Sequence, residues 1–112
     1  MASKATNHFV MQRLTAMIQA PLVIWLTISA VAHARDTHLE FMAWVGSPLT
    51  AVLLIVLALS VTYHLRLGLG EVADDYVHDR GANKLSQGLI MAYAAVLAVV
   101  AIAAVIIITL RV

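Results

Sequence analysis

Residues 48–76 read PLTAVLLIVLALSVTYHLRLGLGEVADDY. The first part of this stretch, to about Leu67, is apolar and has about the 20 residues that a helix needs to cross the hydrocarbon core of a bilayer. His64 lies within it, and an ionisable side chain at membrane depth is costly enough to indicate a functional site. Neutral imidazole is a good ligand, so the simplest prediction for His64 is a metal or haem ligand.

The composition supports a membrane protein. Of the 112 residues, 62% are hydrophobic and 12% are charged, about half the charged fraction of a typical soluble domain. The net charge of +1 and the lack of a basic run argue against nucleic-acid binding. Because there is no cysteine, this chain can form neither a disulfide nor an iron–sulfur cluster site.

Three membrane spans are predicted, at about residues 14–33, 48–67 and 85–110, in a single membrane-anchor domain covering residues 1–112. The expected fold class is an all-α membrane protein. Ser47 is predicted to cap the second helix, with Pro48 at its first position. A rival interpretation treats the first span as a signal peptide cleaved near Ala32-His33-Ala34, but the polar Gln19 and the length of the span favour a membrane helix.

The positive residues predict the orientation of the chain. One side of the membrane receives five of them, and the side with the segment between the first two spans and the carboxyl end receives Arg35 and Arg111. The positive-inside rule therefore places the amino terminus in the cytoplasm. The amino-terminal tail does not resemble a transit peptide, which favours the bacterial cytoplasmic membrane. The five residues on the cytoplasmic side are Lys4, Arg13, Arg66, Arg80 and Lys84.

Polar residues follow one face of the second span. If the helix continues past the membrane surface, its turn of about 100° per residue puts His64, Gly68, Glu71 and Asp75 on one stripe. Tyr76 lies on the adjacent flank, about 18 Å along the axis from His64. We expect electron transfer at depth and proton-coupled chemistry at the surface of the membrane.

Each of these residues has a chemical use and a simpler structural explanation. Gly68 leaves room for a flat macrocycle, or for another helix. The Tyr76 phenol can donate a hydrogen bond to a quinone carbonyl, and Asp75 can orient it or relay protons. Alternatively, His64 bonds a neighbouring helix and Asp75-Tyr76 is only a solvated helix exit. It is the combined spacing that favours the functional interpretation.

A haem would need a ligand from a second chain. Two axial ligands are usual in an electron-transfer haem, but His33 is predicted at the outer end of the first span. His64 lies about 24 Å along the helix from Pro48, towards the inner side. The two histidines are therefore at opposite depths and should not pair.

These motifs resemble a known family. Residues 63–68 and 74–78 contain a histidine, a glycine four residues later, and Asp-Tyr at eleven and twelve, as in the hydrophobic membrane anchor subunit of succinate dehydrogenase. Residues 8–16, HFVMQRLTA, are similar to the start of the family's first helix, with its Arg-x-Thr-Ala. The Gly-x-Arg-His-Leu-x-x-Asp pattern typical of the companion membrane subunit, the second anchor of the same enzyme, is absent from the sequence.

The resemblance implies specific roles. His64 would be one axial ligand of a b-type haem shared with the companion membrane subunit. Tyr76 would bond a ubiquinone carbonyl beside Asp75, and Arg13 would lie near the haem propionates or the quinone pocket. The iron–sulfur and flavoprotein subunits would dock at the cytoplasmic face, so that electrons from succinate reach the quinone.

The chain has neither a dinucleotide-binding fingerprint nor a cluster site, so it would not oxidise succinate itself.

Two other classes of function remain as alternatives. One alternative is a cofactor-free structural or assembly protein of another complex. A small transporter subunit is disfavoured because it would need an acid at mid-membrane, whereas Glu71 and Asp75 fall at the helix exit. Arg13 could likewise be only a positive anchor at a helix start.

Overall fold

A computed structural model describes residues 4–112, which form four helices. Helix α1 spans Lys4–Ala32, α2 His38–Val45, α3 Pro48–Tyr76 and α4 Arg80–Arg111. Three of them, α1, α3 and α4, are long and apolar enough to cross a membrane. The all-α fold and the three predicted spans are confirmed.

The long helices extend beyond their predicted spans. Helix α1 begins ten residues before the first span, and α3 ends nine residues after the second. At 1.5 Å per residue, the 29 residues of α3 measure about 44 Å, more than the roughly 30 Å of the hydrocarbon core. Hydropathy detects only the part of a helix that lies in lipid. The last turns of α3, which carry Asp75 and Tyr76, continue beyond that part.

Helix α3 is the centre of the molecule. It packs against α1 on one side and α4 on the other, and within residues 4–112 α1 and α4 do not pack against each other. The buried apolar residues of α3 and α4 are mostly small, as expected where helices approach closely in lipid. They are Ala51, Leu57, Leu67 and Ala73 on α3 and Ala94 on α4. Most large apolar side chains of α1 and α4 remain exposed for lipid or partner chains.

The short helix α2 was not predicted. A capping box forms its start, because the Thr37 hydroxyl accepts from the Glu40 amide (3.2 Å) and the Glu40 carboxylate accepts from the Thr37 amide (3.4 Å). Trp44, on its last turn, stacks on His33 with ring centroids 4.5 Å apart. The His33 Nδ1 also lies 2.6 Å from the Asp36 carboxylate. His33 is thus a structural residue at the end of the bundle away from His64.

Ser47 occupies the predicted cap position of α3, and Pro48 follows at the first turn. The Ser47 side chain does not cap a helix amide, however. Its hydroxyl lies 2.9 Å from the Trp44 carbonyl oxygen and 2.8 Å from the Thr50 hydroxyl oxygen. The cap position is confirmed, and the expected use of the side chain is corrected: it joins α2 to α3.

Polar side chains fix the turn between α3 and α4. Asp74 accepts hydrogen bonds from the side-chain amides of Asn83 (3.0 Å) and Gln87 (3.2 Å). The Gln87 amide also donates to the Gly70 carbonyl at 2.9 Å. A Cβ at position 70 would lie 2.9 Å from Gln87 Oε1, so a side chain there would displace the end of the Gln87 side chain from this contact. Asp79 caps α4 by accepting from the Ala82 amide at 2.8 Å.

The cap of α4 gives a test of this fold. Replacing an N-cap Asp by Ala removes the acceptor for an otherwise unpaired helix amide and costs about 1 kcal/mol. We therefore expect Asp79→Ala to lower the free energy of unfolding by about that amount. Equilibrium unfolding in mixed detergent micelles measures it. Asp79→Asn keeps a capping oxygen and should stay close to the parent protein. An equal loss in both variants would contradict the assigned cap.

Candidate functional site

The candidate site lies where α1 meets α3. The Nδ1 atom of His64 is 2.9 Å from the hydroxyl oxygen of Thr15. One turn away on α3, the Ser60 hydroxyl donates to the Thr15 carbonyl at 2.7 Å. Thr15 and Ser60 are each only 5% exposed. Thr15 therefore holds α1 against α3 through polar contacts of both its side chain and its main chain.

A second polar contact lies seven residues from this pair, later on α3 and earlier on α1. The His8 Nε2 and Glu71 Oε1 atoms are 2.9 Å apart, in a close polar contact that does not have the geometry of a hydrogen bond. His64 and Glu71 are seven residues apart on α3, and their partners Thr15 and His8 are seven residues apart on α1. The helices are therefore antiparallel in a constant register. Of the stripe that starts at His64, the side chains of His64 and Glu71 contact α1.

The other ring nitrogen of His64 is available. Among the described residues, Nε2 of His64 has no hydrogen-bond partner, and the side chain is half-buried. The ring lines a groove of about 430 Å³ between α1 and α3. Arg13 lines the same groove, and its guanidinium carbon lies 5.0 Å from the centre of the Phe9 ring, where a cation–π contact steadies it. The remaining lining residues are Phe9, Gln12, Ala16 and Met17.

The groove contains one histidine in the described part of the chain. No group of three or more His, Asp or Glu side chains within residues 4–112 is arranged to hold a metal ion. His64 could thus provide only one ligand bond. Any further ligand to the same metal would have to come from another molecule.

Gly68, one turn beyond His64, faces open space. No atom of the described chain outside the local helix backbone lies within 4 Å of a Cβ built at this position. Packing inside this chain therefore does not require glycine at 68, in contrast to Gly70, which Gln87 approaches closely. The absence of a side chain at Gly68 matters only to a molecule that lies against the outer surface of α3.

Asp75 and Tyr76 end α3 and are both exposed, with Tyr76 at 80%. The neighbouring Asp74 makes the contacts to α4 described above. The two consecutive aspartates therefore differ: Asp74 is structural, and Asp75 has no contact within the described chain that would fix it. Because this chain covers so little of the Tyr76 ring, other molecules would have to form most of the walls of any pocket there.

Two residues of the site were not predicted from the sequence. Thr15 stood out only as part of the Arg-x-Thr-Ala motif, and Ser60 did not stand out at all. A hydroxyl residue one turn before His64 was the available signal for Ser60, because Ser and Thr often bond between membrane helices. The pairing of Thr15 with His64 needs the register between two helices, which the sequence pattern does not supply.

Comparisons with known proteins identify the family. A model of the succinate dehydrogenase/fumarate reductase transmembrane subunit family matches residues 1–109. Proteins named succinate dehydrogenase hydrophobic membrane anchor subunit are similar to this chain in three Rickettsia species. The Rickettsia bellii protein is 28% identical over 92 residues, which cover 81% of this chain and 70% of the relative. No solved structure matches the chain at a significant level.

Two further relatives agree. The Rickettsia conorii protein is 27% identical, over 68% of this chain and 61% of its own length. The Rickettsia felis protein is 28% identical, over 80% and 72%. Three membrane-length helices, the motifs around His64 and a family match over nearly the whole sequence lead to one conclusion. This multi-pass membrane protein belongs to the succinate dehydrogenase/fumarate reductase transmembrane subunit family.

Proposed function

We propose that this chain anchors succinate dehydrogenase in the membrane, contributes one axial ligand to a b-type haem and forms part of the ubiquinone-reduction site. The observation that carries the proposal is the state of the His64 ring. Its Nδ1 contacts the Thr15 hydroxyl, its Nε2 has no hydrogen-bond partner among residues 4–112, and the ring lines a groove shared with Arg13. A ligand histidine commonly bonds a second residue through the nitrogen that does not bind the metal.

The residues of the groove fit a haem. His64 would hold the iron through Nε2, and the open face beside Gly68 would leave room for the edge of the macrocycle. A bound b-type haem would supply a one-electron redox centre at membrane depth. Since the groove offers a single histidine, the second axial ligand would come from the companion membrane subunit.

Arg13 fits the role of an anion partner in the same groove. Its guanidinium is permanently charged and presents a planar set of donors that matches a carboxylate. The contact with Phe9 limits the conformations of the long side chain, so less freedom is lost on binding. Arg13 would thereby bind and orient haem propionate groups, or would line the quinone pocket.

Asp75 and Tyr76 would serve the quinone. Reduction of a quinone to a quinol takes up two electrons and two protons. The electrons would come from succinate through the flavoprotein and iron–sulfur subunits, and the protons from the water at the cytoplasmic surface. The Tyr76 phenol would donate a hydrogen bond to a quinone carbonyl, and Asp75 beside it would orient the phenol or relay protons.

The exposed position of Tyr76 supports a pocket shared between subunits. Lipid would penalise an uncovered polar stripe, so the surface around His64, Arg13 and Gly68 would face the companion membrane subunit. The helix ends that carry most of the positive residues would face the iron–sulfur and flavoprotein subunits. This chain would thus be non-catalytic by itself, and would act only within the complex.

One observation favours the alternative of a cofactor-free structural protein. The contact between His64 and Thr15 is also what an interhelical hydrogen bond without a cofactor would look like. Such a role would use Nδ1 alone and would leave Nε2 without a purpose. The two candidates therefore differ in what happens to haem when His64 is replaced.

His64→Leu tests the ligand role. Leucine fills a similar volume but cannot bind iron, so we expect the low-spin b-type absorption band of the purified complex to be lost or strongly altered. A reduced-minus-oxidised optical spectrum measures this change. His38→Gln is the matched control, since His38 is exposed at the start of α2, and its spectrum should equal that of the parent. An unchanged band in His64→Leu would reject the ligand role.

Tyr76→Phe tests the quinone role. Loss of one positioned hydroxyl should slow quinone reduction about 10- to 100-fold, while succinate oxidation by a soluble artificial acceptor should be retained. Steady-state assays with the two acceptors measure the ratio. Tyr63→Phe is the control, because Tyr63 lies on α3 with its ring 5.9 Å from the Arg66 guanidinium and away from the helix end. Equal losses with both acceptors would indicate an assembly defect and contradict the proposed role.

A further inference from the structure

We propose that Thr15 is the positioning residue for His64: it holds the imidazole as the tautomer whose Nε2 can bind iron. This inference rests on the proposed function and deepens it, because it assigns a role to a residue on another helix. Thr15 itself would touch neither the haem nor the quinone. Its effect would pass entirely through the ring of His64.

The surroundings of the Thr15 hydroxyl decide where its proton lies. The oxygen is 2.7 Å from the Met11 carbonyl oxygen, 3.1 Å from the Gln12 carbonyl oxygen and 2.9 Å from His64 Nδ1. A hydroxyl has one proton to donate and lone pairs to accept with. The two carbonyl oxygens can only accept. If the proton pointed at His64, lone pairs of the Thr15 and Met11 oxygens would face each other at 2.7 Å with no hydrogen between them.

The hydroxyl therefore donates to the backbone of its own helix, and His64 must be the donor in the other contact. The Nδ1–H of His64 donates to the Thr15 oxygen, and a neutral imidazole with a proton on Nδ1 has its lone pair on Nε2. This ring lines the groove that it shares with Arg13. Thr15 thus selects the tautomer, fixes the rotation of the ring and makes the free nitrogen more basic.

The backbone of Thr15 is held independently of this contact. Ser60 donates to the Thr15 carbonyl at 2.7 Å, from a position one turn before His64 on α3. This bond sets the level of α1 against α3 without touching the imidazole. Ser60 therefore offers a control in which an interhelical bond at the same crossing is lost while the His64 contact is kept.

The experiment compares Thr15→Val, Thr15→Ser and Ser60→Ala in the complete, purified complex. Valine matches the shape of threonine without the hydroxyl, and serine restores the hydroxyl. The readouts are the rate and extent of haem transfer from the complex to an excess of apomyoglobin, and the midpoint potential of the haem. Loss of an outer hydrogen-bond partner of a ligand histidine typically weakens metal binding about 10- to 100-fold.

We expect Thr15→Val to lose haem at least about 10-fold more readily than the parent. We also expect its midpoint potential to rise, because a less basic imidazole stabilises ferric iron less. Thr15→Ser should remain close to the parent. Ser60→Ala should change haem retention and the midpoint potential much less than Thr15→Val does, because it leaves the contact between Thr15 and His64 in place. All values are compared per assembled complex. If Thr15→Val does not assemble, Thr15→Ala, which adds no branched methyl at the crossing, should show the same loss.

Parent-like haem retention and potential in assembled Thr15→Val or Thr15→Ala would overturn the inference. So would an equal change in Ser60→Ala, since that would trace the effect to helix packing. Failure of the proposed function is distinguishable from both. If the proposed function fails, His64→Leu leaves the haem band unchanged. If only the inference about Thr15 fails, His64→Leu removes the band and the Thr15 variants keep the haem as the parent does.

Discussion

The contact of α1 with α3 at Thr15 is the constraint on which the site depends. Helices in lipid gain little from burying apolar surface, so small side chains and a few polar contacts determine how they pack. Here Ser60 and His64, one turn apart on α3, both bond Thr15, which is 5% exposed. Moving α1 along α3 would separate these partners and also His8 from Glu71. The same register brings Arg13 into the groove of His64.

The two sides of α3 have different roles. The side that packs on α4 carries Gly70 and Asp74, and the Gln87 amide donates hydrogen bonds to the Gly70 carbonyl and the Asp74 carboxylate. His64 lies on the α1 side, Gly68 faces open space one turn further on, and the Asp75-Tyr76 pair ends the helix. Within residues 4–112, His64 Nε2 has no hydrogen-bond partner, no side chain covers Gly68, and the Asp75 and Tyr76 side chains are exposed. This division fits the proposal that the outer surfaces of α3 are completed by partner subunits.

Much of this arrangement could be predicted from the sequence. The three spans follow from hydropathy, and the stripe from His64 to Asp75 follows from the 3.6-residue period once α3 is continuous. The extra turns at the helix ends and the short α2 could not be found by hydropathy. The Thr37–Glu40 capping box is a usable sequence signal for α2 that hydropathy does not register. The roles of Asp74 and Asp75 could not be told apart from the sequence, because only the packing of α4 shows that Asp74 bonds Asn83 and Gln87.

The central claim is that His64 binds haem iron through Nε2, and an experimental structure of the purified native complex would test it most directly. We expect density for a porphyrin in the groove of Arg13 and His64. Its iron should lie within bonding distance of His64 Nε2, with the second axial ligand on another subunit. A porphyrin held by two residues of other chains, or a groove filled only by lipid or by a partner side chain, would contradict the account.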